Sequence, residues 1–498
     1  MIEEINIAIS KKELYAKLKE LHQIEFPAAY KLIANYNEDI INNIDYQGIY
    51  LNNFVSLLAE LDFPTFFVII KSNYENLARD LQHLNSIHKN GIISIAKSDT
   101  VFSIIKEKRE TFCVYPWVHF YFNPQGKINA CCTADINYPL GDYKINNIDF
   151  NSESIQKFRQ TLINNEMAPQ CSDCYKTEDL GLTSNRLRAN KKFAHHIPID
   201  PKPIIDNFKL RYLDIRLSNV CNLKCRMCSS FYSSKIAAED FKIWGETKFL
   251  YDSNSTVCEK KLLQLCTNQI NNLETIYFAG GEPLLSDFHY TLLDLLIKYN
   301  KTDIHIVYNT NFTIIDKVLD YWAKFSNINV GASIDLYGPQ ANYVRNGVEY
   351  DTIESNYYKL RHHQPHINFM ITSVLSMYNV FNLCDLQQHW ITDIGLSHEK
   401  MSFQLLTNPD NMSITVLPEE IKIRARNRIE NHISYLDRIS AKKLIHQWKN
   451  ALDLMNSIDN SHLLKSFFSD NDVRDKARNQ IFENYFSEFQ NLRQFIKD

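Results

Sequence analysis

Eleven cysteines stand in this 498-residue chain, and eight of them fall into two groups. Cys221, Cys225 and Cys228 lie within eight residues, in the run Cys221-Asn-Leu-Lys-Cys225-Arg-Met-Cys228. Three thiolates on one loop can face a single soft metal centre, and iron–sulfur clusters favour such ligands. Three rather than four leaves one iron of a 4Fe–4S cube open to an outside ligand, whereas a structural zinc site needs a fourth protein ligand. The nearest upstream histidines, His195 and His196, are not at a familiar zinc spacing. The second group is Cys113, Cys131, Cys132, Cys171 and Cys174. Cys258, Cys266 and Cys384 are scattered and read as small buried hydrophobes.

The rest of the sequence must position these thiols. Hydrophobic content of 45% and charged content of 22% are ordinary for a globular protein, and the net charge of −4 argues against a nucleic-acid partner. The acidic start lacks a signal-peptide pattern, and no run approaches the ~18 apolar residues of a membrane helix. A cytoplasmic, reducing location follows as the expectation, with clustered cysteines as metal ligands rather than disulfides.

Residues 1–65 read as helical, from Leu14, Leu18, Leu21 and from Leu51, Phe54, Leu58, Leu61. A strand–helix–strand unit is expected at 66–96, which closes a mainly helical N-terminal domain of 1–108 with no visible chemistry. Residues 109–200 form a small, turn-rich module that needs a metal to hold its shape. From 201 to 410, strands expected at 210–217, 275–278, 304–308, 328–333, 367–374 and 401–405 alternate with helices. Six such strands predict an α/β fold with a parallel sheet, doubly wound or a partial barrel, whose chemistry sits on loops after strands. Residues 411–498 return to helix.

The spacing C-x3-C-x2-C after the first of these strands resembles the radical S-adenosylmethionine (SAM) superfamily, and further motifs appear in that family's order. Gly280-Gly281-Glu282-Pro283 resembles the family's GGEP turn, whose glycines let backbone approach SAM and whose Glu pairs with the methionine amino group. Asn309-Thr310-Asn311 resembles the Thr-Asn-Gly motif near the ribose, with Phe312 in place of Gly. Ser333-Ile-Asp335 is similar to the Ser-x-Asp motif, and Arg345 sits where relatives place an Arg for the SAM carboxylate. Met227 stands where many members have an aromatic beside the adenine. The resemblance implies a partial (β/α)6 TIM-like barrel and a SAM-bound 4Fe–4S cluster on Cys221, Cys225 and Cys228. It also implies reductive cleavage of SAM to a 5′-deoxyadenosyl radical that takes hydrogen from a substrate.

Cys113, Gly126, Cys131, Cys171 and Cys174 resemble the auxiliary-cluster module called SPASM, in its shorter "twitch" form. The resemblance implies a second 4Fe–4S cluster on the four cysteines, in a module that here precedes the barrel rather than following it. The glycine spacing favours Cys131 over Cys132 as ligand, and a four-cysteine zinc site is the rival. Enzymes of this type mostly modify peptides or proteins by crosslinking, epimerisation or oxidation, and draw electrons from a donor such as flavodoxin or ferredoxin. The alternatives are dehydrogenation or epimerisation of a small molecule such as a sugar or aminocyclitol, or a non-catalytic metal scaffold, which would need neither Glu282 nor Arg345. Cys384, after the fifth strand, is the candidate hydrogen donor if the reaction is an epimerisation.

Overall fold

The computed structural model describes residues 111–496, apart from 146, 180–182, 197–200, 217 and 247–254, and five strands before residue 111. Those five are β1 Glu4–Ala8, β2 Tyr30–Asn35, β3 Phe66–Lys71, β4 Gly91–Ala96 and β5 Val101–Lys106. The first three form a parallel sheet in that order, and β4 pairs antiparallel with β5. Two of them correct the helical reading of residues 1–65. EINIA and YKLIAN are mixed polar and apolar segments of five and six residues, too short to stand out against the leucine-spaced stretches around them. The leucine-spaced stretches at 14–21 and 51–61, and the stripe at 74–84, lie outside the described residues. The expected strands of the 66–96 unit are present, but β3 pairs with β2 and β4 with β5, so they sit in different ladders.

Residues 1–120, 128–142 and 146–210 cluster as one unit, and 121–127, 143–145 and 211–498 as another. A small hairpin, β6 His119–Phe122 and β7 Lys127–Asn129, is divided between the two units, and the first also contains the two-residue β8 Gly141–Asp142 and helices Glu153–Ile163, Ser172–Asp179 and Asn185–Lys192. The shape of the first unit rests on buried polar anchors: Arg159 donates to the carbonyls of Pro116 (2.9 Å) and Pro203 (2.9 Å) while fully buried.

The second unit is an α/β barrel segment. Its strands are β9 Tyr212–Ile215, the short β10 Lys224–Cys225, β11 Thr275–Phe278, β12 His305–Thr310, β13 Ile328–Ser333, the short β14 Arg345–Asn346, β15 Asn368–Leu375 and β16 Met401–Leu405. The order β9–β11–β12–β13–β15–β16 is parallel at every pairing, a partial TIM-like barrel with helices between the strands. The strands alternate as a pleated ribbon covered on one side must. In β15 the residues Phe369, Ile371, Ser373 and Leu375 are buried, and in β12 Ile306, Tyr308 and Thr310 are. That face meets the helices: Tyr308 packs on Trp322 of helix Asp316–Trp322, and Phe369 on Trp390 of helix Leu383–Thr392. The opposite face, with Tyr277, Met370 and Thr372, stays half open.

Each of the six expected strands of the 201–410 region is present to within three residues of the expected bounds. Among the described residues, no helix is long and apolar enough to cross a membrane.

Candidate functional site

Cys221, Cys225 and Cys228 occupy the loop that leaves β9. Three local devices shape it. Cys225 sits in β10, and the antiparallel register with β14 sets it opposite Arg345. The Cys228 amide then donates to the Cys225 carbonyl at 3.0 Å, turning the chain within three residues. Ser233, which follows, caps helix Ser234–Trp244 through Ile236 N and donates to the Leu223 carbonyl at 2.9 Å. The three thiols are near enough for each other's charge to be felt, and burial pushes Cys221 up to about 11 and Cys228 up to about 12. Thiols held neutral in this way give up their protons to a bound metal centre, and three soft donors on one loop fit a cluster with one open iron.

The GGEP turn follows β11. Gly280 has φ +120°, and a Cβ on Gly281 would lie 2.2 Å from the Val220 carbonyl oxygen, so only glycine fits against the cysteine loop. Gly281 N and Glu282 N in turn donate to the carbonyls of Ser218 and Val220. The Glu282 carboxyl, 3% exposed, accepts from Thr310 Oγ1 (2.7 Å), Asn311 N (2.7 Å) and Leu284 N (3.2 Å). Burial outweighs these donors and pushes it up to about 7. A buried carboxyl so poised is a ready partner for a cation.

Asn311 therefore reaches Glu282 through its backbone, while its side chain donates to Asn222 Oδ1 (2.8 Å) between Cys221 and Cys225. Phe312, where the resembled motif has Gly, keeps the left-handed backbone (φ +58°) that a glycine would supply. Its ring is fully buried against Phe369, and its carbonyl accepts from Asn356. The departure is thus in the side chain and not in the path of the turn. Ser333 ends β13 half-buried, and Asp335 beyond it accepts from Arg345 Nε (2.7 Å) and Val374 N (2.8 Å). Arg345 Nη1 also lies 3.8 Å from Cys225 Sγ. Met227 is half-buried between Arg226 and Cys228.

Direct contacts therefore link Cys225, Arg345 and Asp335 in one set, and Asn222, Asn311 and Glu282 in another. Cys384 is not among them. It is 2% exposed at the start of helix Leu383–Thr392, with Arg428 and Asp385 as charged neighbours, and burial holds its thiol well up.

In the first unit, Cys113, Cys131, Cys171 and Cys174 line one cavity, with Arg186 also on its wall, and Cys132 is not part of the lining. Burial pushes Cys131 and Cys171 up to about 12. Four thiols around one void fit a four-cysteine centre. Helix Asn185–Lys192 holds the chain on both sides of Cys113: Val114 N donates to Asn190 Oδ1 (2.8 Å), and the Phe112 carbonyl accepts from Asn190 Nδ2 (2.8 Å) and Arg186 Nη1 (2.8 Å). Arg186 is itself forked on Glu178.

Sequence reasoning missed Arg226. It is buried between two cluster cysteines, lies 3.7 Å from the centroid of the Tyr343 ring, and donates to Tyr343 O (2.9 Å), Asn471 Oδ1 (2.9 Å), Gln480 Oε1 (3.0 Å) and Asp475. The only available signal was its place inside the motif.

Comparison with known proteins agrees with this geometry. Residues 215–388 match the radical SAM superfamily, and residues 113–175 match SPASM, an iron–sulfur cluster-binding domain. The chain thus carries a radical SAM domain preceded by a SPASM domain, and these imply a 4Fe–4S cluster with SAM and an auxiliary iron–sulfur cluster. Among solved structures, native anSMEcpe with bound AdoMet and Cp18Cys peptide aligns at 19% identity over 45% of this chain and 59% of that one, with a TM-score of 0.30. TYW1 with a lysine-pyruvate adduct bound aligns at 17% identity over 44% of this chain and 70% of that one, at 0.24. The alignments with anSMEcpe thus span about three fifths of that protein's length. No curated protein sequence matches the chain.

Proposed function

We propose that this protein is a radical SAM enzyme that modifies a peptide or protein substrate. The observation that carries the reading is the pairing of a three-thiol loop with a buried carboxyl, Glu282, and a half-buried guanidinium, Arg345, whose Nη1 lies 3.8 Å from Cys225 Sγ. SAM is a zwitterionic amino acid at one end, and a carboxyl and a guanidinium are what its ammonium and carboxylate require. Cys221, Cys225 and Cys228 would hold a 4Fe–4S cluster, which with SAM would supply the one-electron chemistry for hydrogen abstraction. The chain's own part is to hold and orient. Gly280 and Gly281 keep the turn against the cysteine loop, Glu282 holds a cation, and Asp335 fixes the Arg345 fork. The half-open sheet face with Met370 and Thr372 leaves room for substrate. Seven thiols committed to metal argue for work in a reducing compartment, the cytoplasm, with flavodoxin or ferredoxin as electron donor.

The peptide class rests on the SPASM domain, whose relatives mostly act on peptides. A sugar or aminocyclitol is the second reading. Anaerobically reconstituted protein incubated with SAM and dithionite should release 5′-deoxyadenosine, and the triple Cys221, Cys225 and Cys228→Ala variant should not. Mass spectrometry of candidate peptides after the same incubation tests the substrate class. Turnover of a free sugar with every peptide unchanged would replace the first reading by the second.

A further inference from the structure

The helix Leu464–Arg478 ends on a cation whose hydrogen bonds do not add up. Arg478 has a side chain only 1% exposed. Its Nε and Nη2 sit on the Glu239 carboxylate at 3.0 and 2.6 Å, but its Nη1 is buried with no partner among the described residues. A buried guanidinium nitrogen without an acceptor is costly, and native proteins tolerate one where something else receives the bond. Its surroundings say where that something lies. Glu239 also takes Lys224 Nζ at 3.0 Å, and Lys224 precedes Cys225. Three residues earlier on the same helix, Asp475 takes Arg226, which follows Cys225, so the helix end is tied to both chain neighbours of that thiol. Glu239 does not depend on Arg478 alone, because Arg474 Nη1 donates to it at 2.8 Å.

We infer that Arg478 is a positioning residue for the catalytic cluster, donating from its free Nη1 to a cluster sulfur on the Cys225 side. This rests on the radical SAM reading of the three-cysteine loop. Hydrogen bonds and positive charge at the sulfurs stabilise the more negative, reduced cluster and so raise its reduction potential. Arg478 thus makes the C-terminal helix part of the electron-accepting site and not only a cover for it.

The test is an EPR-monitored redox titration of the reconstituted full chain, the SAM-binding cluster being recognised by the change in its signal on adding SAM. Arg478→Met should move the midpoint to a more negative value with iron content unchanged, since Lys224 and Arg474 still satisfy Glu239. The shift should persist in Arg478→Met/Glu239→Gln, which removes both charges. An unchanged midpoint in Arg478→Met overturns the inference. So does a return to the wild-type midpoint in the double variant, which would trace the shift to a bare Glu239. If Arg478→Met loses iron, Arg478→Lys decides: a cluster that loads with a midpoint between the two supports the inference, and failure to load identifies a structural clamp and overturns it. A wild-type protein with no SAM-responsive signal would instead remove the functional reading itself.

Discussion

At Glu282 two opposing effects are nearly balanced. Three donors, from Thr310, Asn311 and Leu284, favour the carboxylate, while burial favours the neutral acid and brings the group to about 7. A bound ammonium adds a partner for the charged form alone. SAM should therefore bind more tightly as pH rises through about 7 and more weakly below it, where binding has first to expel a proton. Equilibrium binding of SAM to the reconstituted protein between pH 6 and 8.5 checks the slope. Glu282→Ala should flatten it and weaken binding by roughly a hundredfold, the cost of a few kcal/mol for a desolvated cation left unpaired. Iron content should not change, since Glu282 is not a ligand. Phe312 presents a second balance. Its left-handed backbone costs a non-glycine residue about 1–2 kcal/mol, whereas a fully buried Phe contributes about 3–5 kcal/mol on truncation. Burial wins, so Phe312→Gly, although it restores the family residue, should lower stability by roughly 2–3 kcal/mol in chemical denaturation. A rise in stability would mean that the strain dominates.

Among the elements, the helix Leu464–Arg478 has the largest influence on a site that its own sequence does not announce. Arg226 of the cluster loop is held by Asn471 and Asp475 of that helix, and Asp475 also accepts from Phe482 N (2.8 Å). Removing one member of a buried ion pair leaves the other uncompensated and costs about 3–5 kcal/mol. Arg226→Met and Asp475→Leu should each destabilise the protein by that order and loosen the cysteine loop, seen as reduced iron retention. Together they should cost less than their sum, because the double variant buries no lone charge. The barrel itself was legible in the sequence. Its strands are short apolar runs between helical stripes, each with a turn or motif at its end, and both local pattern and motif order point to the same fold. Arg226 and Arg478 were not legible as partners of the site, because the contacts that define them span some 240–250 residues of chain and leave no local pattern. β1 and β2 were missed for the opposite reason: they are brief runs beside long leucine-spaced stretches, and a helical period was assigned to the whole. The auxiliary cysteines were readable from spacing, and the cavity they share is lined by Cys131 and not by Cys132.

For the molecule as a whole, the two groups of cysteines proposed as metal ligands lie in different compact units. Cys113, Cys131, Cys171 and Cys174 belong to the unit of residues 1–120, 128–142 and 146–210, and Cys221, Cys225 and Cys228 to the unit that contains 211–498. No ligand is shared, so loading should be independent, and the losses on mutation should be additive in iron. The reconstituted chain should hold about eight irons, four in each 4Fe–4S cluster. Replacing Cys221, Cys225 and Cys228 by Ala should leave about four irons and abolish SAM cleavage. Replacing the other four should also leave about four but retain cleavage, since the parallel strands of the barrel unit have a core of their own, including Ile306, Tyr308, Val330 and Ile371. The cysteine-rich segment around 113–175 has only short strands and short helices to fall back on, so the same replacement should make it the first site of limited proteolysis. Cys132→Ala should do neither, because its thiol is outside the cavity. Iron and zinc analysis of the four proteins reads all of this at once. About four irons plus one zinc in the unaltered chain would assign the cysteine-rich unit to zinc and leave the SAM-cleaving centre as it stands.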